Sequence, residues 1–243
     1  MSKIAHATSI ISLVREEADE AVLFCSLGKD SIVTLDLMAP CFKRIVCVFM
    51  YFVKGLEHIE RWIKWVKAKY PNVEFLQKPH WSLSCIIRSG LFATPNPNVK
   101  LLKLSDVVHS VRLETGIEYV FLGMKKADSM NRRLMLMKYE QDSYIHKGCV
   151  YPLADWTQRD VLAYMRAHRL PEPVRYGGKA STGVGFNLDS LLWMKEHFPG
   201  DLQKFFKAFP QSERILWEYE QKNLKKNGIK SRDLCPRPME EDE

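Results

Sequence analysis

The chain has 243 residues, a length that suits one α/β domain with a small C-terminal appendage. Hydrophobic residues make up 46% and charged residues 27%, enough for a sizeable core. No apolar run is long enough for a membrane span, and the N-terminus lacks the layout of a signal peptide, so a cytoplasmic location is expected. The formal net charge of +7 favours anionic partners such as nucleotides and sulfate or phosphate compounds, while no recognisable DNA-binding motif directs that charge at a duplex.

In chain order, residues 3–18 read as an opening helix with Ile4, Ile10, Ile11, Leu13 and Val14 as its apolar positions. Ala21 to Cys25 is a short apolar run, followed by a glycine turn and then a helical pattern through Ile32, Val33, Leu35, Leu37 and Met38. Arg44 to Phe52 reads as a second buried strand, Leu56 to Tyr70 as a helix rich in Lys and Trp, and Val73 to Leu76 as a third strand. The stretch 81–118 is less regular: Thr94 to Asn98 is a loop, and Ser105 to Glu114 reads as helix. Tyr119 to Gly123 is a fourth strand and Val150 to Leu153 a fifth. Thr157 caps a helix with Asp160 at its third position, which runs to about His168.

Nearly continuous apolar strands alternating with helices predict a doubly wound, mostly parallel α/β sheet covered on both faces. Residues 1–190 would form this nucleotide-binding domain, with 191–243 as a helical extension ending in the acidic tail Glu240 to Glu243. Ligands of such sheets bind beyond the carboxyl ends of the strands. The segments after Cys25, Phe52, Gly123 and Leu153 are therefore the places for a site.

Ser26-Leu27-Gly28-Lys29-Asp30-Ser31 stands at the first of these places. Gly28 would let the backbone turn sharply, the amides and dipole of the following helix would favour an anion, and Lys29 adds a full charge. Ser26 and Ser31 add hydroxyl donors. The pattern is an anion cradle and lacks the Walker A spacing.

The six cysteines form no C-x-x-C pair, so neither a zinc knuckle nor a cluster held by closely spaced cysteines is expected. Cys25 and Cys47 lie in apolar runs and read as core residues. Cys235 sits in a polar tail between Arg232 and Arg237.

The Ser26–Ser31 segment resembles the S-G-G-K-D-S loop of the PP-loop ATP pyrophosphatases, with Leu27 in place of a glycine. Gly123 to Arg132 is similar to the G-x-R-x-x-[ED]-S-x-x-R segment of the phosphoadenosine phosphosulfate (PAPS) reductases and their relatives: Gly123, Ser129 and Arg132 match, and Lys125 stands where arginine is usual. Pro152 to Trp156 resembles P-I-x-D-W, with Asp155 read as a helix-start anchor. Gly178 to Gly183 resembles the G-Y-x-S-x-G loop.

This resemblance covers about residues 20–190. It implies an adenine nucleotide alpha hydrolase-like, Rossmann-like fold and an enzyme. Its nucleotide-binding residues would be Ser26, Leu27, Gly28, Lys29, Asp30, Ser31, Gly123 and Ser129. Lys29, Asp30, Lys125 and Arg132 would act at the phosphates or the acceptor. ATP, or PAPS or its relative adenosine 5′-phosphosulfate (APS), would be the nucleotide. Mg²⁺ would assist, with Asp30 a candidate ligand but no metal ligand assigned.

The retained Lys29-Asp30-Ser31 points to cleavage of ATP between its α- and β-phosphates, with adenylyl transfer to an acceptor in sulfur metabolism or DNA phosphorothioate modification. The alternatives are a thiol-dependent PAPS or APS reductase using Cys235, although the E-C-G-[IL]-H ending of that group is absent, and a non-catalytic nucleotide-binding subunit. Expected partners are protein components of a sulfur-transfer or DNA-modification complex and a second copy of the chain. DNA is a candidate partner, and a membrane is not.

Overall fold

The computed structural model describes residues 2–92, 94–176 and 187–226. The first helix, α1 (Lys3–Glu17), starts at Ser2, whose hydroxyl accepts the Ala5 N–H at 3.1 Å, and it buries Ala7, Ile10, Ile11 and Val14 along one stripe. The next elements are β1 (Glu20–Phe24), α2 (Lys29–Met38), β2 (Arg44–Tyr51), α3 (Glu57–Lys69) and β3 (Val73–Pro79). After these come α4 (Leu83–Ser89), α5 (Leu104–Thr115), β4 (Val120–Leu122) and α6 (Met130–Lys138). The chain then forms β5 (Ile145–His146), β6 (Cys149–Val150) and α7 (Gln158–Ala167), followed by α8 (Leu188–His197), α9 (Pro199–Ala208) and α10 (Gln211–Lys226).

The sheet order is β3-β2-β1-β4-β6-β5, with every pairing parallel except β5 with β6. The chain leaves β1 toward β2 and β3, then returns to place β4 on the other side of β1. The β1/β4 boundary is thus the switch point, where crossovers on either side diverge and leave a crevice at the carboxyl ends. Phe24 is in register with Val48 and with Leu122, so the segments after β1 and β4 leave the sheet together, while β2 runs on beside β3 to Tyr51.

The doubly wound α/β class expected from the pattern is the one observed. Two local features differ from expectation. The fifth strand is only Cys149–Val150, and it folds back on the unanticipated β5 through Lys147 and Gly148, both at positive φ. That backbone is the tight hairpin turn favoured by the right-handed twist of its strands. The irregular stretch before α5 also holds the short helix α4.

The principal core runs through the buried faces of α1, α2, α3, α5 and α7 and both faces of the central strands. A second cluster joins Ile86 of α4 to Leu191, Met194, Leu202, Phe205, Phe209 and Leu216. The boundary expected after residue 190 falls inside α8. No helix among the described residues is long and apolar enough to cross a membrane.

Candidate functional site

The loop after β1 folds differently from its sequence reading. Leu27, not Gly28, takes the left-handed backbone, at φ 58°, while Gly28 is extended at φ −85° and ψ 166°. The sharp turn therefore sits where a glycine is usual in similar loops, and Leu27 tolerates it with its side chain buried. Gly28 is the N-cap of α2 and offers no side-chain cap. The N–H groups of the first turn, at Lys29, Asp30 and Ser31, are the ones a helix leaves open to an anion. Ser31 donates instead to the Gly28 carbonyl at 2.9 Å, which closes the loop from within, whereas Ser26 is exposed.

Gly123 follows β4 and brings its own loop against this turn. A Cβ there would lie 3.2 Å from the Asp30 carbonyl carbon and 3.4 Å from the Asp30 Cβ. A side chain here would push the two loops apart by a few tenths of an ångström, so glycine suits the close contact. Beyond it, Lys125 reaches Asp30 Oδ1 at 2.7 Å and Asp128 Oδ1 at 2.9 Å. Lys29 Nζ donates to Asp30 Oδ2 at 2.9 Å, and Arg132 to Asp128 Oδ2 at 2.7 Å. The result is one ionic chain, Lys29–Asp30–Lys125–Asp128–Arg132, which ties the loop after β1 to the loop after β4.

This chain joins all four residues expected to act at the phosphates, with one change of role. Lys125 does not face the crevice: it is 1% exposed and lies behind Asp30. Lys29 keeps a partly open side chain, and Arg132 is largely exposed. Ser129 is the N-cap of α6, its oxygen accepting the Arg132 N–H at 3.2 Å.

Asp128 is the member that sequence reasoning left without a role. Burial raises its carboxyl pKa, but the Lys125 ammonium and backbone N–H and the Arg132 guanidinium outweigh this and hold it below the ordinary carboxylate value. Its spacing from Lys125 and Arg132, three and four residues, was the available signal.

Asp155 also has a different role from the one expected. The helix-start device at α7 is the reciprocal pair Thr157 and Asp160 alone. Asp155 instead accepts from the Tyr144 hydroxyl at 2.7 Å and pairs with Lys126 at 2.8 Å. Lys126 N–H donates to the Ala154 carbonyl, so this cluster fastens the Pro152–Asp155 turn to the loop after β4. Burial and Asp155 push the Tyr144 hydroxyl up to about 12, against the opposing pull of Lys126.

The loop after β2 is braced from far away in the chain. Its helix, α3, has Leu56 as N-cap and no side-chain cap of its own. Asp201 of α9 supplies one, accepting the Glu57 N–H at 2.6 Å and the His58 N–H at 3.0 Å. The same carboxylate binds His58 Nδ1 at 2.7 Å, and His58 Nε2 meets the Tyr176 hydroxyl at 2.9 Å. Lys204 adds a bond to the Gly55 carbonyl at 2.6 Å. Nothing near Phe52 in the sequence signalled this brace.

The expected Mg²⁺ does not fit the carboxylate proposed for it. Both Asp30 oxygens already face ammonium groups, and among the described residues no group of three or more His, Cys, Asp or Glu could hold a metal ion. Cys25 and Cys47 are fully buried, as expected of core cysteines, and burial pushes the Cys47 thiol well up. Cys235 and the Gly178–Gly183 loop lie outside the described residues.

The loops after β1 and β4 meet at the switch point of a doubly wound, mostly parallel α/β sheet. The phosphoadenosine phosphosulfate reductase domain model matches residues 20–176, and the chain belongs to that family. It is 29% identical over 162 residues to the adenosine 5′-phosphosulfate reductase of Geobacillus thermodenitrificans (strain NG80-2), a match covering 65% of this chain and 67% of the relative. It is 30% identical over 164 residues to the adenosine 5′-phosphosulfate reductase of Geobacillus kaustophilus (strain HTA426), with the same coverage, 65% and 67%. Among solved structures, the phosphate complex of the PAPS reductase from Candida auris aligns with a TM-score of 0.47 and 14% identity, over 69% of this chain and 81% of that one. The NH3-dependent NAD synthetase of Campylobacter jejuni aligns with a TM-score of 0.48 and 12% identity, over 90% and 95%.

Proposed function

We propose that the chain binds an adenylyl sulfate, APS or PAPS, at the β1/β4 switch point and reduces it in a thiol-dependent reaction of sulfur metabolism. The supporting observation is the family match, whose relatives are APS reductases, over the segment that carries both cradle loops. The open amides of α2, Lys29 and the exposed Ser26 would hold the phosphate or sulfate oxygens. Arg132, at the far end of the ionic chain, would meet the anion from the opposite rim. Cys235 is the nucleophile this reading calls for: its thiolate would attack sulfur, take the sulfonate and release the nucleotide, after which a second thiol frees sulfite.

One observation favours a second reading. Lys29-Asp30-Ser31 is retained, and a lysine here suits a departing pyrophosphate, where charge develops in the transition state. In that case ATP is cleaved between its α- and β-phosphates and an acceptor is adenylylated.

Product analysis separates the two. The purified chain is incubated with APS or PAPS plus a reduced thiol carrier, and separately with ATP and MgCl2. Sulfite release that Cys235→Ser abolishes is the expected result. Pyrophosphate and AMP from ATP, with no sulfite from the first mixture, would transfer the assignment to ATP cleavage. Lys29→Ala should weaken nucleotide turnover on either reading by about tenfold or more; its side chain is 12% exposed and bonded to Asp30, so the unfolding midpoint should fall slightly as well.

A further inference from the structure

We propose that Lys125 is an internal counter-cation: its ammonium, clamped between Asp30 and Asp128, fills the place beside the loop that a divalent metal ion would take, so anion binding at this end of the sheet needs no added metal. The proposal deepens the nucleotide reading above, and its first arm stands without that reading.

Three observations carry it. First, Lys125 Nζ lies 2.7 Å from Asp30 Oδ1 and 2.9 Å from Asp128 Oδ1, two carboxylates from different loops converging on one buried cation. Oxygens at that range need to close by only about 0.3 Å to reach the bonding distance of a calcium-sized ion.

Second, Lys125 Nζ and Asp30 Oδ1 are the buried side-chain polar atoms among the described residues that have no directed hydrogen bond. The ammonium is held by charge and proximity, as a metal ion is, rather than by the fork geometry an arginine would impose.

Third, the charge balance rejects a further cation. Lys29, Lys125 and Arg132 set three positive charges against the two of Asp30 and Asp128, a net charge of +1. A divalent ion would raise this to +3 beside a buried ammonium, an excess that burial penalises. Without Lys125 the same cluster is neutral and has two converging carboxylates to offer. Lys125 is thus a positioning residue, which sets Asp30, and through it Lys29, against the loop.

The test uses Mn²⁺ as probe, followed by the paramagnetic resonance of the free ion, on the full chain without nucleotide. Wild type should leave the signal unchanged. Lys125→Ala should gain one Mn²⁺ site at least about tenfold tighter than any in wild type, and the added change Asp30→Asn should cancel it. A folded Lys125→Ala that takes up no Mn²⁺ overturns the proposal, as does a wild-type site lost on Asp30→Asn.

If Lys125→Ala does not fold, wild type decides through a calorimetric titration with APS. Equal affinity in EDTA and in MgCl2 is expected, and a loss of about tenfold or more in EDTA overturns the proposal. Absence of APS binding together with the expected Mn²⁺ results would sink the nucleotide reading and leave the internal cation standing.

Discussion

At the scale of single residues, Leu27 concentrates the conflict between local backbone and packing. A left-handed residue with a Cβ costs about 1–2 kcal/mol, a strain that glycine escapes. Leu27 nevertheless stays, because its side chain is 5% exposed and belongs to the principal core. Truncation should therefore invert the usual order of side-chain effects. Leu27→Ala loses the packing and keeps the strain, at a cost of about 2–4 kcal/mol, whereas Leu27→Gly loses the packing and sheds the strain. In urea unfolding the glycine variant should be the more stable of the two by about 1 kcal/mol. Equal stabilities would show that the turn carries no strain.

Between elements, the brace formed by Asp201 sets how α9 holds α3. Its carboxylate satisfies two helix-start N–H groups and the His58 ring, and the two His58 groups are left buried without it. Asp201→Ala should cost about 3 kcal/mol, more than a surface cap, because a cap and a buried polar contact are lost together.

The same brace makes stability depend on pH. Burial lowers the His58 pKa and outweighs the raising effect of Asp201, so the folded state favours the neutral ring. The unfolded chain then binds the extra proton first. Stability is complete above the ordinary histidine value of about 6.5 and is lost as pH falls from there through the folded value. His58→Gln should flatten that part of the stability–pH curve relative to wild type, as followed by thermal unfolding between about pH 7 and pH 5. An unchanged slope would place the proton uptake elsewhere.

These elements also show what the sequence could and could not tell. The alternation of apolar strands and helices was legible because a parallel sheet buried on both faces leaves a strong one-dimensional trace. The cap at Thr157 and Asp160 was legible because both partners lie within one turn. The Lys125–Asp30 pair was not, since its members are 95 positions apart and the lysine's motif position suggested contact with a ligand rather than burial. β5 was missed because two residues carry no periodicity, and only the turn at Lys147-Gly148 marks it.

Over the whole molecule, the excess of 36 Lys and Arg over 29 Asp and Glu gives a net positive charge that attracts anions. Salt should screen this attraction: APS or inorganic phosphate affinity should fall about threefold or more between roughly 50 and 300 mM NaCl. A salt-independent affinity would mean that the short-range contacts of the cradle suffice alone.

The placement of Asp201 has a temporal consequence as well. It completes the first turn of α3 from 144 residues further along the chain. At roughly 5–20 residues per second of synthesis, α3 waits about 7–30 s on the ribosome for the residue that finishes it. The loop after β2, which borders the β1/β4 crevice, is therefore among the last parts to set, and a nascent chain that already holds its central strands still lacks a finished mouth.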